Sequence, residues 1–196
     1  DRRPQTSRIA AVALQTFAQT TGTNTDKKPL AVMIHTSTDF FARDQFKGLL
    51  AAIEANGSED SLTRLISHQQ WETIAEFLQL FTLARGQELI RQGSVDRSLY
   101  FVEEGTVTVH YEDTNSRIRL AVLGPGSALG EGSFFSRLPR SATVHAASPC
   151  KIWRLSAQRF EELSRRHPGP ALALAMALGS VIAVRLQSQR KRTAVT

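Results

Sequence analysis

The chain has 196 residues and a net charge of +6; 41% of the residues are hydrophobic and 21% charged, as in an ordinary soluble globular protein of one or two domains. Its single cysteine, Cys150, excludes an intramolecular disulfide and a thiolate metal cluster, and the five histidines lack the spacing of metal ligands. Asp1 opens the chain without a signal-peptide pattern, so we expect a cytoplasmic protein, met here as a processed or excised piece. We expect no metal and no cofactor.

The charge is distributed unevenly along the chain. Residues 1–60 hold seven basic and seven acidic side chains, so the positive surplus lies beyond them and includes the C-terminal stretch RLQSQRKR. Such a tail contacts nucleic acid or anionic lipid in some proteins, and in others it is the solvated end of a helix whose dipole it complements. We favour the helix end and expect no nucleic-acid partner.

The first 60 residues predict a small α/β segment. Apolar spacing predicts one helix over 8–18 and another over 44–57, the second closed by Gly57, with a short buried strand at 30–34 between them. The segment carries no motif, so its role stays open, and one interpretation is the end of an upstream domain.

Residues 61–196 predict a mainly β domain with flanking helices. The stretch 62–81 has helical apolar spacing, and beyond it short runs alternate between apolar and polar residues and are punctuated by glycine. A hairpin with one solvent-exposed polar face is predicted by two alternating sets joined at EDTNS, namely Val107, Val109 and Tyr111, then Ile118, Leu120 and Val122. Glycines at 93, 105, 126 and 130 lie in turn contexts, where a positive φ is easily adopted. Strands at this spacing predict a sandwich or jelly roll.

The chain is predicted to end in helices. The strand CKIWRL at 150–155 leads into a helix capped by Ser156, and Pro168 and Pro170 separate it from a last helix over 171 to about 190. That helix has no charge over 171–184, a run shorter than the roughly 18 residues of a membrane span. We expect one face to cover the β domain and another to meet a second subunit in a homodimer, with complete burial inside one chain as the alternative.

The stretch GEGSFFSRLPRSATV, residues 130–144, carries the candidate site. Glu131 accepts hydrogen bonds from a donor such as a ribose hydroxyl, and Arg140 offers a planar fork for two phosphate oxygens. A helical turn at EGSFF would aim the amides near Gly132 and Ser133 at an anion, and Ser141 adds a hydroxyl. We also expect the charge of Glu131 to keep Arg140 from being buried unpaired. These groups suit a nucleotide with a free 2′-hydroxyl, although the spacing alone also fits a surface ion pair.

From Leu62 to about Gln189 the chain resembles the cyclic nucleotide-binding domain family, which occurs in the protein kinase A regulatory subunit, the bacterial catabolite activator and cyclic nucleotide-gated channels. The family's phosphate-binding cassette reads G-E-[LM]-A, a short insert and P-R-[AST]-A-T-V, and here it appears as GEGS, FFSRL and PRSATV. SLYFVEEGTVTVHY, LGPGSALGE and CKIWRLSAQRFEEL match further landmarks of the family. The resemblance implies a double-stranded β-helix, or jelly roll, with C-terminal helices.

The resemblance implies ligand-binding roles for seven residues and a catalytic role for none. Glu131 resembles the residue that takes the ribose 2′-hydroxyl, and Arg140 the one that grips the cyclic phosphate. The others lie where family members reach the sugar or the phosphate: Gly130, Gly132, Ser133, Ser141 and Ala142. Gly132 departs from the usual Leu or Met, which removes one apolar wall of the pocket. The family's C-terminal helix covers the purine, and because this one has no aromatic residue, an aliphatic side chain or Arg185 would have to cap the base.

The function implied by the resemblance is a cytoplasmic regulatory module that senses a cyclic nucleotide. Ser141 stands where cyclic-GMP binders of the family often carry Thr, so cyclic AMP is favoured over cyclic GMP. The last helix would relay binding to a fused or associated effector, such as a membrane transporter or channel with this domain on its cytoplasmic face, or to a second subunit.

Three alternatives stay open. A truncated Crp/Fnr-like transcription regulator needs a recognition helix, for which the chain leaves no room after its last predicted helix. A degenerate jelly roll that binds nothing is at odds with the intact Glu131 and Arg140. An enzyme is disfavoured because no nucleophile with its base, no metal set and no second catalytic carboxylate accompanies Glu131.

Overall fold

The computed structural model describes residues 46–62, 65–112 and 117–193, and these belong to one compact unit. The predicted helix over 8–18 and strand at 30–34 lie outside these residues. In chain order the elements are α1 (residues 46–55), α2 (His68–Ala75), β1 (Gln79–Leu83), β2 (Glu88–Ile90), β3 (Ser98–Glu104), β4 (Val107–Glu112), β5 (Arg117–Leu123), β6 (Ala128–Leu129), α3 (Glu131–Ser136), β7 (Thr143–Ala146), β8 (Cys150–Ser156), α4 (Ala157–Arg166) and α5 (Pro168–Thr193).

The eight strands form two antiparallel sheets of four strands each, in the orders β1-β8-β3-β6 and β2-β7-β4-β5. Neighbours such as β1 and β8 are far apart in sequence, as in a jelly roll, and the predicted fold class is confirmed. One apolar cluster fills the space between the sheets: Ile90, Tyr100, Val102, Val107, Leu129, Val144, Ala146, Cys150 and Ile152.

The helices cover the outer face of the first sheet, because successive side chains of a strand point to opposite faces. On β3, Tyr100 and Val102 face the other sheet, whereas Leu99 and Phe101 are buried against the helices. The Trp71 ring of α2 meets the Phe101 ring edge-on, with centroids 5.9 Å apart. The fully buried run of β3 therefore serves two separate cores.

Helix α1 shares the core of the β domain. The Phe46 ring packs edge-on against Trp153 of β8, at 5.6 Å between centroids. Gly48 leaves room for the buried Glu103 carboxylate, which accepts hydrogen bonds from Trp153 Nε1 and, at 2.6 Å, from Lys151 Nζ. Helix α1 therefore belongs to the same compact unit as the sheets, although the predicted boundary put it in the segment 1–60. For the residues before 46, the predicted division into 1–60 and 61–196 stays a prediction.

Two local predictions are wrong. The helical spacing over 62–81 yields a helix only from His68 to Ala75, begun by a capping box in which the Ser67 hydroxyl accepts from the Gln70 amide. Residues 79–83 instead form β1, because pairing with β8 gives their backbone groups partners. In the hairpin, the predicted inward-facing set of β5 does not face the core: Ile118, Leu120 and Val122 are 45–55% exposed, because the register sets Leu123 opposite the core residue Val107 and Val122 opposite Thr108.

Helix α5 packs one side into the helical core and exposes the other. Its buried residues recur at helical spacing: Ala171, Leu174, Ala177, Leu178 and Val181. Leu172, Met176 and Leu186 are exposed. By length and composition alone, Pro168–Ser188 is also the one stretch of the described chain able to cross a membrane. Docking of the buried side against α2 and α4 confirms the prediction that one face covers the domain, and the subunit contact of the other stays a prediction.

Candidate functional site

All seven predicted site residues line one pocket, which lies between the second sheet and α3 and is open to solvent. Four apolar side chains of β2, β4, β5 and β7 also line this pocket, namely Ile90, Val109, Leu123 and Val144. Leu129 and Arg185 complete the wall. The structure thus brings Gly130–Ser133 and Arg140–Ala142 together, and their contacts with a ligand stay a prediction.

Gly130 turns the chain from β6 into α3, as its spacing predicts. Its φ is +81°, and a Cβ there would lie 2.4 Å from Arg140 Nη1 and 2.8 Å from the carbonyl oxygen of Ser98. Only glycine combines that conformation with so close an approach. The predicted helical turn follows directly at Glu131–Ser136.

Gly132 faces open space, because no heavy atom lies within 4 Å of the position that a Cβ would take. The position is exposed and lines the pocket. The apolar wall that a Leu or Met would supply is therefore missing, as expected from the departure in the motif. Ser141 is also exposed at the pocket, so its hydroxyl is accessible.

Arg140 is buried and held by four hydrogen bonds. Its Nη2 donates to Asp96 Oδ2 at 2.5 Å and to the Ser98 carbonyl at 2.7 Å, while its Nη1 donates to the Gly130 carbonyl at 3.0 Å and to Ser133 Oγ at 2.8 Å. The loop before β3, the first residue of β3 and the start of α3 thus orient the guanidinium.

The Arg140 Nε atom is buried and has no hydrogen-bond partner within the part of the chain that the structure describes. A buried donor without a partner costs free energy comparable to a lost hydrogen bond. Arg140 also lines the pocket, so an anion bound against its guanidinium would meet a positive charge that is already oriented.

Asp96, rather than Glu131, balances the charge of Arg140, which corrects the sequence interpretation. Burial alone would raise the pKa of Asp96, but hydrogen bonds from Arg140 and Ser98 outweigh burial and hold that pKa below its usual value. Tyr100 adds a third donor to Asp96 at 3.2 Å. Glu131 is thus released from pairing with Arg140.

Glu131 pairs instead with Arg185 of α5, whose Nη1 donates to Glu131 Oε1 at 2.6 Å. The other donors of Arg185 reach Asp60 Oδ2 at 2.7 Å, from Nε, and the Ala128 carbonyl at 2.9 Å, from Nη2. Burial would lower the pKa of Arg185, but the charges of Glu131 and Asp60 outweigh it and raise that pKa. Arg185 therefore joins the segment before α2, the cassette and the last helix.

Sequence reasoning missed Asp96 and Asp60, and it considered Arg185 only as a cap for a base. Asp96 lies 44 residues before its partner Arg140, and no local spacing indicates such a pair. The sequence did indicate that Arg185 has an acidic partner. It is the first charged residue after the uncharged run 171–184, and a helix that packs buries such a charge only when the charge is paired. Among the described residues, no three His, Cys, Asp or Glu side chains form a group that could hold a metal ion.

In a comparison with known protein families, residues 80–167 match the family model of the cyclic nucleotide-binding domain. The chain is 31% identical over 121 residues to the cAMP-dependent protein kinase regulatory subunit of Eremothecium gossypii, a match covering 62% of this chain and 25% of that protein. It is 34% identical over 125 residues to Glutaminase 2 of Bradyrhizobium diazoefficiens, covering 62% of this chain and 19% of that protein.

The fold is also shared with a solved structure. A cyclic nucleotide-binding domain from Methylobacillus flagellatus superposes with a TM-score of 0.66 at 20% identity, covering 77% of this chain and 83% of that one. The chain spans a quarter or less of the length of the two curated relatives. Its residues 80–167, with their cassette and jelly roll, belong to the cyclic nucleotide-binding domain family.

Proposed function

We propose that this cyclic nucleotide-binding regulatory domain senses cyclic AMP in preference to cyclic GMP and relays binding to an effector through α5. The observation that carries the proposal is Arg140, which lines the pocket, is buried and oriented by four hydrogen bonds, and keeps one donor, Nε, without a partner among the described residues. A cyclic phosphate supplies acceptor oxygens for such a donor. No cofactor other than the ligand is part of the proposal.

Glu131 and the apolar wall provide for the rest of the nucleotide. The Glu131 carboxylate accepts a hydrogen bond from the ribose 2′-hydroxyl, because an ionised carboxylate can only accept hydrogen bonds. The base lies against the wall formed by Val109, Leu123 and their neighbours, and burying that surface favours binding by about 25 cal/mol per Å². The open position at Gly132 leaves this wall incomplete, so we expect weaker binding than a complete wall would give.

The preference for cyclic AMP rests on Ser141 and on the relatives. Ser141 exposes a hydroxyl at the pocket where the resembling cyclic-GMP binders often carry Thr. The Eremothecium relative is named as the regulatory subunit of a cAMP-dependent protein kinase. Because a serine hydroxyl can still reach a guanine, the preference is modest.

The effector lies in a companion domain or subunit. The matched relatives are much longer than the shared region, and they differ in name, one being a kinase regulatory subunit and the other a glutaminase. We propose a fused or associated effector, including a transporter or channel, and a role for the exposed side of α5, with Leu172 and Met176, in a second-subunit contact. The domain itself binds the ligand without cleaving it.

Isothermal titration calorimetry of the 196-residue chain with cyclic AMP and cyclic GMP tests the proposal, with adenosine 5′-monophosphate as the matched control. We expect binding of both cyclic nucleotides, tighter for cyclic AMP, and much weaker binding of the open monophosphate. Absence of heat and of a thermal shift with both cyclic ligands at millimolar concentration would refute it. Appearance of the open monophosphate during incubation would show an enzyme instead.

A further inference from the structure

The Glu131 carboxylate has one anchored oxygen and one free oxygen. Oε1 accepts a hydrogen bond from Arg185. Among the described residues, no other hydrogen-bond donor reaches this carboxylate, so Oε2 has no protein partner there. The Glu131 side chain is 14% exposed and lies at the start of α3, where Arg185 supplies its ion pair. Its orientation in the pocket therefore depends on Arg185.

Arg185 is in turn fixed from three directions. Each of its three donor nitrogens has a different acceptor, on the segment before α2, on α3 and on β6. Val181, one helical turn earlier, is buried, so the backbone that carries Arg185 is docked. The guanidinium is three-quarters buried, and removing an acid beside it would leave a charge partly unpaired.

Asp60 is the outer member of the set. Its carboxylate accepts from Arg185 and from Ser58, and these bonds, acting against burial, hold its pKa below the usual value. A turn in which the Ser61 amide donates to the Ser58 carbonyl at 3.1 Å fixes the backbone around it. Asp60 is thus an ionised, locally ordered anchor for Arg185.

We infer that Asp60 and Arg185 are positioning residues for the ribose hydroxyl of the ligand. Arg185 holds Glu131 Oε1, so that Oε2 is presented to the 2′-hydroxyl, and Asp60 holds Arg185. The inference rests on the proposed function and adds the two residues that orient its sugar contact. It also ties ligand binding to the docking of the end of α5, since both need the same guanidinium.

The test compares cyclic AMP with 2′-deoxy cyclic AMP in the wild-type chain and in Arg185→Gln, Arg185→Lys and Asp60→Asn. In the wild type, loss of the hydroxyl should weaken binding about tenfold or more, as for a hydrogen bond to a charged group. In Arg185→Gln that penalty should fall to about threefold or less, because a carboxylate that is not oriented loses rotamer freedom on binding. Arg185→Lys, with a point charge in place of the fork, should be intermediate. Asp60→Asn should reduce the penalty about twofold.

Each outcome is decisive for a different statement. If the wild type binds neither cyclic nucleotide, the proposed function fails. If the wild type shows the 2′-hydroxyl penalty and Arg185→Gln keeps it in full, the positioning role fails while the function stands. If Arg185→Gln weakens the binding of both ligands by the same factor, as a variant with damaged folding would, Arg185 contributes to stability alone. Tighter binding of cyclic AMP by Arg185→Gln would make Arg185 a competitor of the ligand and overturn the inference.

Discussion

Arg185 Nη1 and Glu131 Oε1 lie 2.6 Å apart, although 54 residues separate them in the chain. The last helix therefore reaches the pocket through a charged side chain. A charge at that place acts on the acidic residue of the cassette and on the segment before α2 at once. If a ligand displaced either partner, the balance of acids around Arg185 would change, and we therefore expect α5 to respond to ligand binding.

Arg140→Ala should weaken cyclic-AMP binding more than Glu131→Ala does. The arginine contact is charge-assisted and buried, for which about 2–5 kcal/mol is typical once a partner is lost, whereas the ribose contact is a single hydrogen bond. Calorimetry on both variants measures the difference. Thermal denaturation without ligand is the control, because Arg140→Ala also leaves Asp96 without its main partner. Normal binding by Arg140→Ala would show that the phosphate lies elsewhere.

The cassette could be predicted from the sequence because its residues are close together in the chain and each has a distinct chemistry. The helical turn at EGSFF and the positive φ of Gly130 follow from local sequence, whereas the roles of Glu131 and Arg140 follow from the resemblance to the family's cassette. Asp96 could not be predicted, since its contact with Arg140 joins the loop between β2 and β3 to the end of the cassette. Contacts between segments that are distant in the chain depend on how the strands pair, and a single sequence does not reveal the register of that pairing.

The same limit explains the errors at the edges of the fold. Residues 79–83 have apolar spacing compatible with a helix, and pairing with β8 decides for a strand. The alternation in β5 is correct for a strand, but the register sets Leu123 opposite the core residue Val107 and leaves Ile118, Leu120 and Val122 exposed. Alternation predicts two faces and does not tell which face, or which edge, another element will cover.

Asp96→Asn should flatten the dependence of stability on acid pH. The folded pKa of Asp96 lies below its ordinary value of 3.8, because hydrogen bonds from Arg140 and Ser98 outweigh burial. A folded pKa below the unfolded one means that the stabilisation is fully present above the unfolded pKa and is lost as the pH falls through the folded one. We therefore expect the wild type to lose this contribution below about pH 4. The variant should be less stable at pH 7 and should decline less steeply.

Urea denaturation at several values between pH 3 and pH 7 measures the Asp96 effect, with Asp60→Asn as a matched variant. The folded pKa of Asp60 is lowered too, by Arg185 and Ser58 acting against burial, so its variant should change in the same direction. Parallel curves for the wild type and Asp96→Asn would show that the Asp96–Arg140 pair contributes nothing to folding.

Gly132→Met should tighten nucleotide binding by restoring an apolar wall. No heavy atom lies within 4 Å of the Cβ position, so the side chain enters free space at the pocket without a clash. Covering about 40 Å² of apolar ligand surface would gain about 1 kcal/mol. Gly132→Ala is the control, because it restricts the backbone equally and adds little wall. Equal affinities of the two variants would locate the base away from this position.

Gly130→Ala and Gly179→Ala should change stability in opposite directions. At Gly130 the φ of +81° strains any other residue, and the Cβ would meet Arg140 and the Ser98 carbonyl, so we expect a loss of about 2–4 kcal/mol. At Gly179, inside α5, the Cβ has open space and alanine is the better helix former, so we expect a gain of about 0.5–1 kcal/mol. Chemical denaturation measures both. A stable Gly130→Ala would mean that the cassette turn relaxes without cost.

Cyclic AMP should change hydrogen exchange in two regions, the cassette at 130–142 and the part of α5 from 179 to 189. The cassette gains protection because the ligand supplies partners for its donors. The distal part of α5 responds because Arg185 shares its charge with Glu131, while the proximal part stays docked through Leu174 and Leu178, both fully buried. Gly179 weakens the helix between these parts and allows them to differ. Exchange measured with and without ligand, with Arg140→Ala as the control, tests this. If only the cassette responds and sedimentation shows a monomer in both states, α5 is static packing and the signal leaves the domain by another route.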